Sequence, residues 1–358
     1  MLDDTLLDDP SRLADTDSAG YLRAAALAGA QVRAVVEAAT DAGIERMAED
    51  RPRALVLVTR PGVGGAAAQL LAALLTPSCP VPVVLAEAVP SWIGALDLVI
   101  AHTDDPGDVV LAESLDRATR RGARVVVTAP AEGPVAAAAA GRGMLLPPRV
   151  PVPTGFGFAR ALAAGLVVVG ALGLLRTDVA ELADELDREA ERDHPMHESF
   201  VNPAKSLALR VADRTPLLWG LDPAATAVAW HAAFVLASHA GIVSDVAGYQ
   251  QAIGRAALHR AAVQSSHGND LFADPDDELP TQPRVLLLAV GHSDAAEAAR
   301  RSAEETLAGA DVVRLDEVTG GDATCAAVLA LRFELAALYL GLAAGTIGGS
   351  GYFAPTAV

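Results

Sequence analysis

Short apolar runs rich in Val and Leu alternate along the chain with longer segments whose apolar residues recur at helical spacing. The first series of runs predicts five strands, the last of them short, at 53–59, 81–85, 96–101, 124–128 and 144–146. Helical segments separate them, the clearest at 21–50 and 109–121. Because strands that alternate with helices over short connections form parallel sheets, we predict an α/β domain at 20–152.

A second series of the same kind follows. It predicts strands at 215–219, 285–290 and 312–315, and helices at 202–212, 224–239, 246–263, 295–308 and 326–344. We therefore predict a second α/β domain at 194–358. The polar stretch 264–282 is predicted to be a surface loop.

Two segments fall outside these domains. Residues 1–19 carry six aspartates and little periodic signal, and we expect a flexible leader. Residues 153–193 are predicted to form a central connector of two helices, one apolar at 161–175 and one charged at 177–192. The charged helix leaves few core positions, so we expect it to be solvated.

Charge and composition exclude several classes of function. With 27 basic and 45 acidic residues, the formal net charge of −18 disfavours nucleic acid and anionic membrane surfaces as partners. The apolar segment 161–175 is shorter than the roughly 20 residues of a membrane-spanning helix. The acidic N-terminus does not resemble a signal peptide, and Cys79 and Cys325 form no metal spacing. We expect a cytoplasmic protein without metal or cofactor.

The first candidate site is the glycine-rich turn at 59–65, after the first strand. Glycines let a backbone approach a ligand, and the free N–H groups of the following helix can hold an anion. The candidate ligand-binding residues are Thr59, Gly62, Gly64 and Gly65. Two other interpretations stay open: a turn that only lets the helix pack, and a Rossmann-like nucleotide site that uses Glu87.

The second candidate site is the end of the third strand, at 101–106. Loops at the carboxyl ends of strands are where ligands bind in open α/β sheets. Thr103 offers a hydroxyl group there, but Asp104 and Asp105 make the loop a poor phosphate site. The two aspartates have an alternative role as caps of the helix that begins near Pro106.

The third candidate site is the segment 197–205, which contains the sole lysine of the chain, Lys205. Asn202 followed by Pro203 is a helix start. That role does not explain why Lys205 follows so soon after Glu198 and Ser199, so these three are candidate ligand-binding residues.

These residues resemble a known family. The motifs Glu198-Ser199, Asn202-Pro203-Ala204-Lys205-Ser206-Leu207-Ala208 and Thr215-Pro216-Leu217-Leu218-Trp219-Gly220 are similar to the start of the second domain in bifunctional phosphoglucose/phosphomannose isomerases. That family has two SIS (sugar isomerase) domains in tandem, each a parallel-sheet αβα sandwich. The specific match covers about 197–231, and the layout fits most of the chain. The resemblance implies an α/β protein with two tandem SIS domains that binds a sugar phosphate or a related carbohydrate derivative.

The sequence departs from the family where phosphate binds. The family's glycine loop reads G-M-G-G-S-G, whereas 60–65 reads R-P-G-V-G-G. Its phosphate loop reads S-Y-S-G-N-T, whereas 101–106 reads A-H-T-D-D-P. Pro153-Thr154 stands in place of a Pro-Arg pair. If any anion site remains, we expect it at 62–65 rather than at 102–105, because the first carries no carboxylate.

The sequence also departs where the family performs catalysis. Its base glutamate would fall near 235–239 and its ring-opening histidine near 244–250, and neither is present. His239 and Asp245 lie nearby and are the candidate substitutes. We expect a degenerate site with negligible isomerisation; the alternative is an active aldose–ketose isomerase with rearranged groups. The apolar helices at 161–175 and 326–344, like the resemblance, favour a homodimer.

Overall fold

The computed structural model describes residues 3–48, 51–75, 79–266, 282–307 and 309–348. Two parallel sheets, of five and four strands, confirm the predicted α/β fold. The chain divides into two compact units. The first-sheet unit comprises residues 26–187, and the second-sheet unit comprises the described residues before 26 and after 187. The division therefore falls inside the charged connector helix.

The N-terminal segment is folded, which differs from the expected flexible leader. A 3-10 turn at Asp4–Asp8 precedes helices α1 (Pro10–Thr16) and α2 (Tyr21–Ala26). Leu6, Leu7 and Leu13 are buried. Aspartates of this segment accept hydrogen bonds from backbone N–H groups. The Asp9 carboxylate, for instance, accepts from the first N–H groups of α1.

The first-sheet unit contains five parallel strands in the order β2-β1-β3-β4-β5. The strands are β1 (Ala54–Val58), β2 (Val83–Ala86), β3 (Asp97–His102), β4 (Arg124–Thr128) and β5 (Met144–Leu145). Its helices are α3 (Ala28–Ala42), α4 (Val63–Leu75), α5 (Val109–Arg120), α6 (Gly133–Ala139) and α7 (Phe158–Ala171), with α8 (Val179–Arg192) crossing the division. Strands β1 and β3 are buried along their whole length, as their continuous apolar runs predict.

The second-sheet unit contains four parallel strands in the order β7-β6-β8-β9. The strands are β6 (Thr215–Gly220), β7 (Asp245–Gly248), β8 (Pro283–Leu288) and β9 (Asp311–Val313). Its helices are α9 (Pro203–Val211), α10 (Pro223–Val235), α11 (Tyr249–Gly254), α12 (Ala256–Ser266), α13 (Asp294–Thr306) and α14 (Asp322–Ala344).

Two predicted helices are corrected. The predicted helix at 246–263 begins instead with strand β7 and continues as two helices, α11 and α12. Helix α10 ends in a π-helical turn at Leu236–Ala240 rather than running on as α-helix to 239. Most of the predicted loop at 264–282 lies outside the described residues.

The charged helix α8 is not a solvated connector. Leu182, Ala183 and Leu186 are buried on one face, at the spacing of an amphipathic helix. On the polar side, Arg33 of α3 donates hydrogen bonds to Asp184 and Asp187 at 2.6 and 2.7 Å. The charges of α8 therefore attach it to the first-sheet unit while its leucines fill the core.

The two most apolar helices lie in the interior. Almost every described residue of α14 is buried, and α7 is buried over most of its surface. Helix α14 is long and apolar enough to cross a membrane, but its apolar stretch is covered entirely by the protein itself. The apolar surfaces of α7 and α14, from which the sequence analysis expected a homodimer, are thus covered by other parts of the same chain.

Candidate functional site

The strand order places the candidate site of the first-sheet unit. Strand β2 lies on one side of β1 and strands β3 to β5 lie on the other, so the strand order switches direction between β1 and β3. Ligands of open α/β sheets bind at such a switch point, outside the carboxyl ends of the strands. We call this place the first edge. It comprises the turn after β1 (59–65), His102 with the loop after β3 (103–108), Thr128 at the end of β4, and residues 155–160 at the start of α7. The predicted residues Thr59, Gly62 and Thr103 all lie here.

The glycines of the first edge allow close packing. Gly62 has a φ of +94°, which favours glycine. A Cβ on Gly64 would lie 2.8 Å from the His102 ring, and one on Gly65 would lie 3.0 Å from the Arg60 carbonyl oxygen. These contacts support the interpretation that the turn lets α4 pack against β3.

Arg60 forms the first ion pair of this edge, with Asp108. Its Nε and Nη2 atoms donate to the two carboxylate oxygens at 2.6 and 3.0 Å. Asp108 also accepts a hydrogen bond from the Leu111 N–H at 2.9 Å and so caps α5. The cap is therefore Asp108, not Asp104 or Asp105 as the sequence suggested.

Asp104 forms the second ion pair, with Arg160. The Asp104 carboxylate accepts a hydrogen bond from Arg160 Nη2, lies 3.5 Å from His102 Nε2 and accepts a 3.4 Å hydrogen bond from the Gly155 N–H. Burial would raise the pKa of Asp104, but its close contact with His102 and the charge of Arg160 outweigh burial and lower the pKa to about 2. Asp104 is thus ionised throughout the physiological range. Gly157 has no Cβ to obstruct this pair.

His102 and Thr103 complete the first edge. His102 is buried, and its Nδ1 lies 2.6 Å from the Thr128 hydroxyl oxygen. Its Nε2 faces the Asp104 carboxylate at 3.5 Å, too far for a strong hydrogen bond, and has no other hydrogen-bond partner among the described residues. The Thr103 hydroxyl is used locally, since it accepts from the Asp105 N–H at 3.1 Å and donates to the Asp105 carbonyl at 3.3 Å.

The second-sheet unit has a corresponding place, which we call the second edge, between β6 and β8. Asp222, directly before α10, occupies it. One oxygen of its carboxylate accepts from the Ala225 N–H at 2.8 Å, and the other accepts from the N–H groups of Val290 and Gly291, both at 2.9 Å. A single carboxylate therefore joins the loops that follow the two central strands.

Lys205, the sole lysine, holds the backbone of a loop. It is fully buried, and its Nζ donates to the carbonyl oxygens of Pro195 and His197 at 2.8 and 2.6 Å. Nζ also lies 5.4 Å from the centre of the Tyr339 ring. Burial lowers the pKa of Lys205. Its described contacts are those of a structural residue.

Ser199 is bound by a residue that the sequence did not single out. The Asp8 carboxylate accepts from the Ser199 N–H at 2.7 Å and from its hydroxyl at 2.5 Å, and these bonds lower the pKa of Asp8. The Glu198 carbonyl accepts from the N–H groups of Val201 and Asn202. Glu198, Ser199 and Lys205 thus lie in one loop, as predicted, but the N-terminal segment already occupies the serine.

The two candidate catalytic residues lie where strand β7 begins, not where strands end. Asp245 is the first residue of β7; its carboxylate accepts from Trp219 Nε1 at 3.1 Å and from Arg255 Nη1 at 2.7 and 3.0 Å. His239 lies in the π-helical turn before β7, and burial lowers its pKa to about 4. Neither residue is at the second edge.

The second-sheet unit contains a buried acid that the sequence analysis missed. Glu334, in the middle of α14, lies 4.0 Å from His231 Nε2 of α10. Burial raises the pKa of Glu334 to about 8, and burial together with the nearby His239 lowers the pKa of His231 to about 3. Both groups are neutral at pH 7.

Over the described part of the chain, no three His, Cys, Asp or Glu side chains are grouped as metal ligands. His259 stacks on Trp219, with ring centres 6.2 Å apart, and His292 lies 3.4 Å from Asp322. His267 lies outside the described residues.

Comparison with solved structures identifies the fold. A protein from Silicibacter pomeroyi that is described as a phosphosugar isomerase matches at a TM-score of 0.61 and 18% identity, over 91% of this chain and 97% of its own. The C-terminal domain of glucosamine-fructose-6-phosphate aminotransferase from Francisella tularensis matches at 0.64 and 11%, over 91% and 96%. A glucose-6-phosphate isomerase like protein from Thermus thermophilus matches at 0.51 and 21%, over 84% and 86%.

These similarities confirm the predicted architecture, an α/β fold with two parallel sheets in one chain. At such identities they establish the fold alone. No protein-family model matches the sequence, and no curated protein matches it.

Proposed function

We propose that this chain is a non-catalytic SIS protein that binds a carbohydrate derivative at the first edge. The descent from bifunctional phosphoglucose/phosphomannose isomerases belongs to the same proposal and is supported by the motifs at 197–231. We infer the loss of catalysis from the positions and surroundings of His239 and Asp245. Both lie at the start of β7, one buried with a lowered pKa and the other bound by an arginine and a tryptophan.

Isomerisation of an aldose needs a base over C1 and C2 and a second group that opens the ring. Each such group is typically worth a factor of about 10² to 10⁴ in rate. Asp245 is poorly placed as a base because its carboxylate is already bound by Arg255 and Trp219. His239 is a poor acid because burial keeps it neutral. Without another pair of groups, the fold retains only binding.

One observation favours the rival function, an active isomerase with rearranged groups. The imidazole of His102 lies at the carboxyl end of β3, hydrogen-bonded to Thr128 and beside Asp104. A histidine held in this way can transfer protons, because its partners fix the ring orientation.

A coupled assay of glucose 6-phosphate and mannose 6-phosphate isomerisation separates the two functions. We expect background turnover from the purified wild-type protein and from the His102→Ala, His239→Ala and Asp245→Asn variants alike. Turnover at the rate of an ordinary isomerase, abolished by the His102 substitution but not by the other two, would establish the rival function.

A homodimer in the cytoplasm remains part of the proposal. The apolar surface for it is not on α7 or α14, which are buried. Helix α10 instead exposes about half of Trp230 and over a third of Phe234, which lie one turn apart and form a small apolar face.

A further inference from the structure

Several groups at the first edge that could bind a phosphate are already bound within the protein. A phosphate site needs free N–H groups, hydroxyls or guanidinium groups that converge on one anion. Here the guanidinium groups of Arg60 and Arg160 hold Asp108 and Asp104. The Thr103 hydroxyl holds Asp105.

Three backbone donors close to these aspartates are occupied too. The Gly155 N–H is bound by Asp104, the Gly107 N–H by the Asp105 carboxylate at 2.8 Å, and the Leu111 N–H by Asp108. In all three cases an aspartate of the 103–108 loop accepts the hydrogen bond that the N–H group could otherwise donate to an anionic ligand. The two ion pairs carry no net charge, so they offer a phosphate dianion no net attraction.

We infer that the first edge takes an unphosphorylated carbohydrate in preference to its phosphate ester, with sugar hydroxyls contacting Asp104 and His102. The inference rests on the proposed function and specifies its ligand. An ionised carboxylate is a strong acceptor for a sugar hydroxyl, because a charge-assisted hydrogen bond is about twice as strong as a neutral one.

His102 supplies the second, independent observation. Its side chain is 94% buried, and its Nε2 faces the Asp104 carboxylate at 3.5 Å, too far for a strong hydrogen bond, and has no other hydrogen-bond partner in the described part of the chain. It also lines a cavity of about 20 Å³ beside Gly64 and Ala161. A space of this size holds one water molecule or one hydroxyl group, but not a phosphate. A buried polar atom with only one long contact is poorly satisfied, so a hydroxyl that reaches Nε2 would be favoured.

The start of α4 offers a phosphate no free guanidinium group. It has no acidic cap, and the sequence therefore favoured it as an anion site. The one guanidinium group in its loop, that of Arg60, is turned to Asp108 and donates in addition to the Glu87 carbonyl at 3.3 Å. A phosphate at 62–65 would meet the ion pair of Arg60 rather than a free cation.

Saturation-transfer NMR titrations with four probes test the inference: mannose, mannose 6-phosphate, glucosamine and glucosamine 6-phosphate. For the wild-type protein we expect each free sugar to bind at least tenfold more tightly than its phosphate ester. In Asp104→Asn, which keeps the shape but removes the charge, we expect the order to reverse, with about tenfold weaker sugar binding and about tenfold tighter ester binding.

Two further variants keep the test decisive. His102→Gln should weaken the free sugars without strengthening the esters, because it removes a ligand contact but no carboxylate. Asp116→Asn is the matched control: it breaks an exposed Asp–Arg pair on α5, with Arg120, and should change neither affinity. Far-UV circular dichroism confirms that each variant is folded.

The failures of the two proposals are distinguishable. Tighter binding of the esters by the wild-type protein, weakened or unchanged in Asp104→Asn, would overturn the inference and leave the binding function intact. Absence of binding by all four probes, or turnover of the esters, would overturn the proposed function itself.

Discussion

Each unit contains a carboxyl group buried next to a histidine, yet the two groups are in opposite protonation states. Asp104, at the first edge, faces Arg160 and His102, and its pKa falls to about 2. Glu334, on α14, faces only neutral His231 among its described ion-pair contacts, and its pKa rises to about 8. Burial acts in the same direction on both, so the neighbouring cation decides the outcome.

The difference indicates which acid can act on a ligand. Asp104 is ionised, lies at strand ends and is bound by side chains, which can exchange partners. Glu334 is protonated and lies inside a helix interface. Asp222 is a third case: it lies at strand ends, but it is bound to backbone N–H groups of three residues and is therefore structural.

The largest effect is expected from Asp222→Ala, which should destabilise the second-sheet unit by about 4 kcal/mol, since three N–H groups lose their acceptor and α10 loses its cap. Urea unfolding followed by tryptophan fluorescence measures this. In a Trp92→Phe background, the remaining Trp219 and Trp230 report on the second-sheet unit alone. Asp222→Asn, which keeps one acceptor oxygen, should lose about half as much. Equal stability of wild type and Asp222→Ala would show that the second edge is not closed by this residue.

A smaller effect of opposite sign is expected from Glu334→Gln. The raised pKa of Glu334 means that the unfolded chain ionises above about pH 4.5 while the folded protein stays protonated to about pH 8. Stability is therefore lost as pH rises between these values, and the variant should be more stable by about 3 kcal/mol at pH 7. The gain should vanish below pH 4.5. The same fluorescence assay detects it, and a variant less stable at pH 7 would indicate a paired, ionised Glu334.

The smallest effect is expected from Asp104→Asn, and its pH dependence is the reverse. The pKa of Asp104 is depressed from 3.8 to about 2, so its contribution is complete above pH 3.8 and disappears as pH falls through 2. The variant should lose about 2 kcal/mol at pH 7 and progressively less below pH 3.8. Amide hydrogen exchange in β3 and β4 measures this loss in the first-sheet unit. A loss that stays constant down to pH 2.5 would mean that the charge of Asp104 is not what stabilises the edge.

Local pattern was enough to predict most of the fold. The observed bounds of β1, β3 and β4 lie within a residue or two of the predicted ones. A strand that is buried on both faces needs a continuous run of apolar residues, and such a run is easy to recognise in a sequence. Strand β7 was missed because its four residues, D-V-A-G, are short and adjoin helical sequence. The buried face of α8 was visible in the spacing of Leu182 and Leu186, but the dense charge of that helix obscured it.

The site was only partly predictable, because its decisive contacts join distant residues. Arg60 and Asp108 are 48 positions apart, Asp104 and Arg160 are 56 apart, and Asp8 and Ser199 are 191 apart. Periodicity and local motifs carry no information about such pairs. The sequence predicted that Asp104 hinders phosphate binding, but it could not predict that Arg160 of α7 binds this carboxylate.

The central claim, that the first edge has exchanged phosphate recognition for paired carboxylates, is tested most directly by crystal structures with mannose and with mannose 6-phosphate, soaked in parallel. We predict mannose at the first edge, with hydroxyls on Asp104 and His102 and with Arg160 still bound to Asp104. In the mannose 6-phosphate crystals we predict no phosphate at either edge and Asp222 still bound to Val290. A phosphate held by Arg160, with Asp104 turned away, would contradict the account.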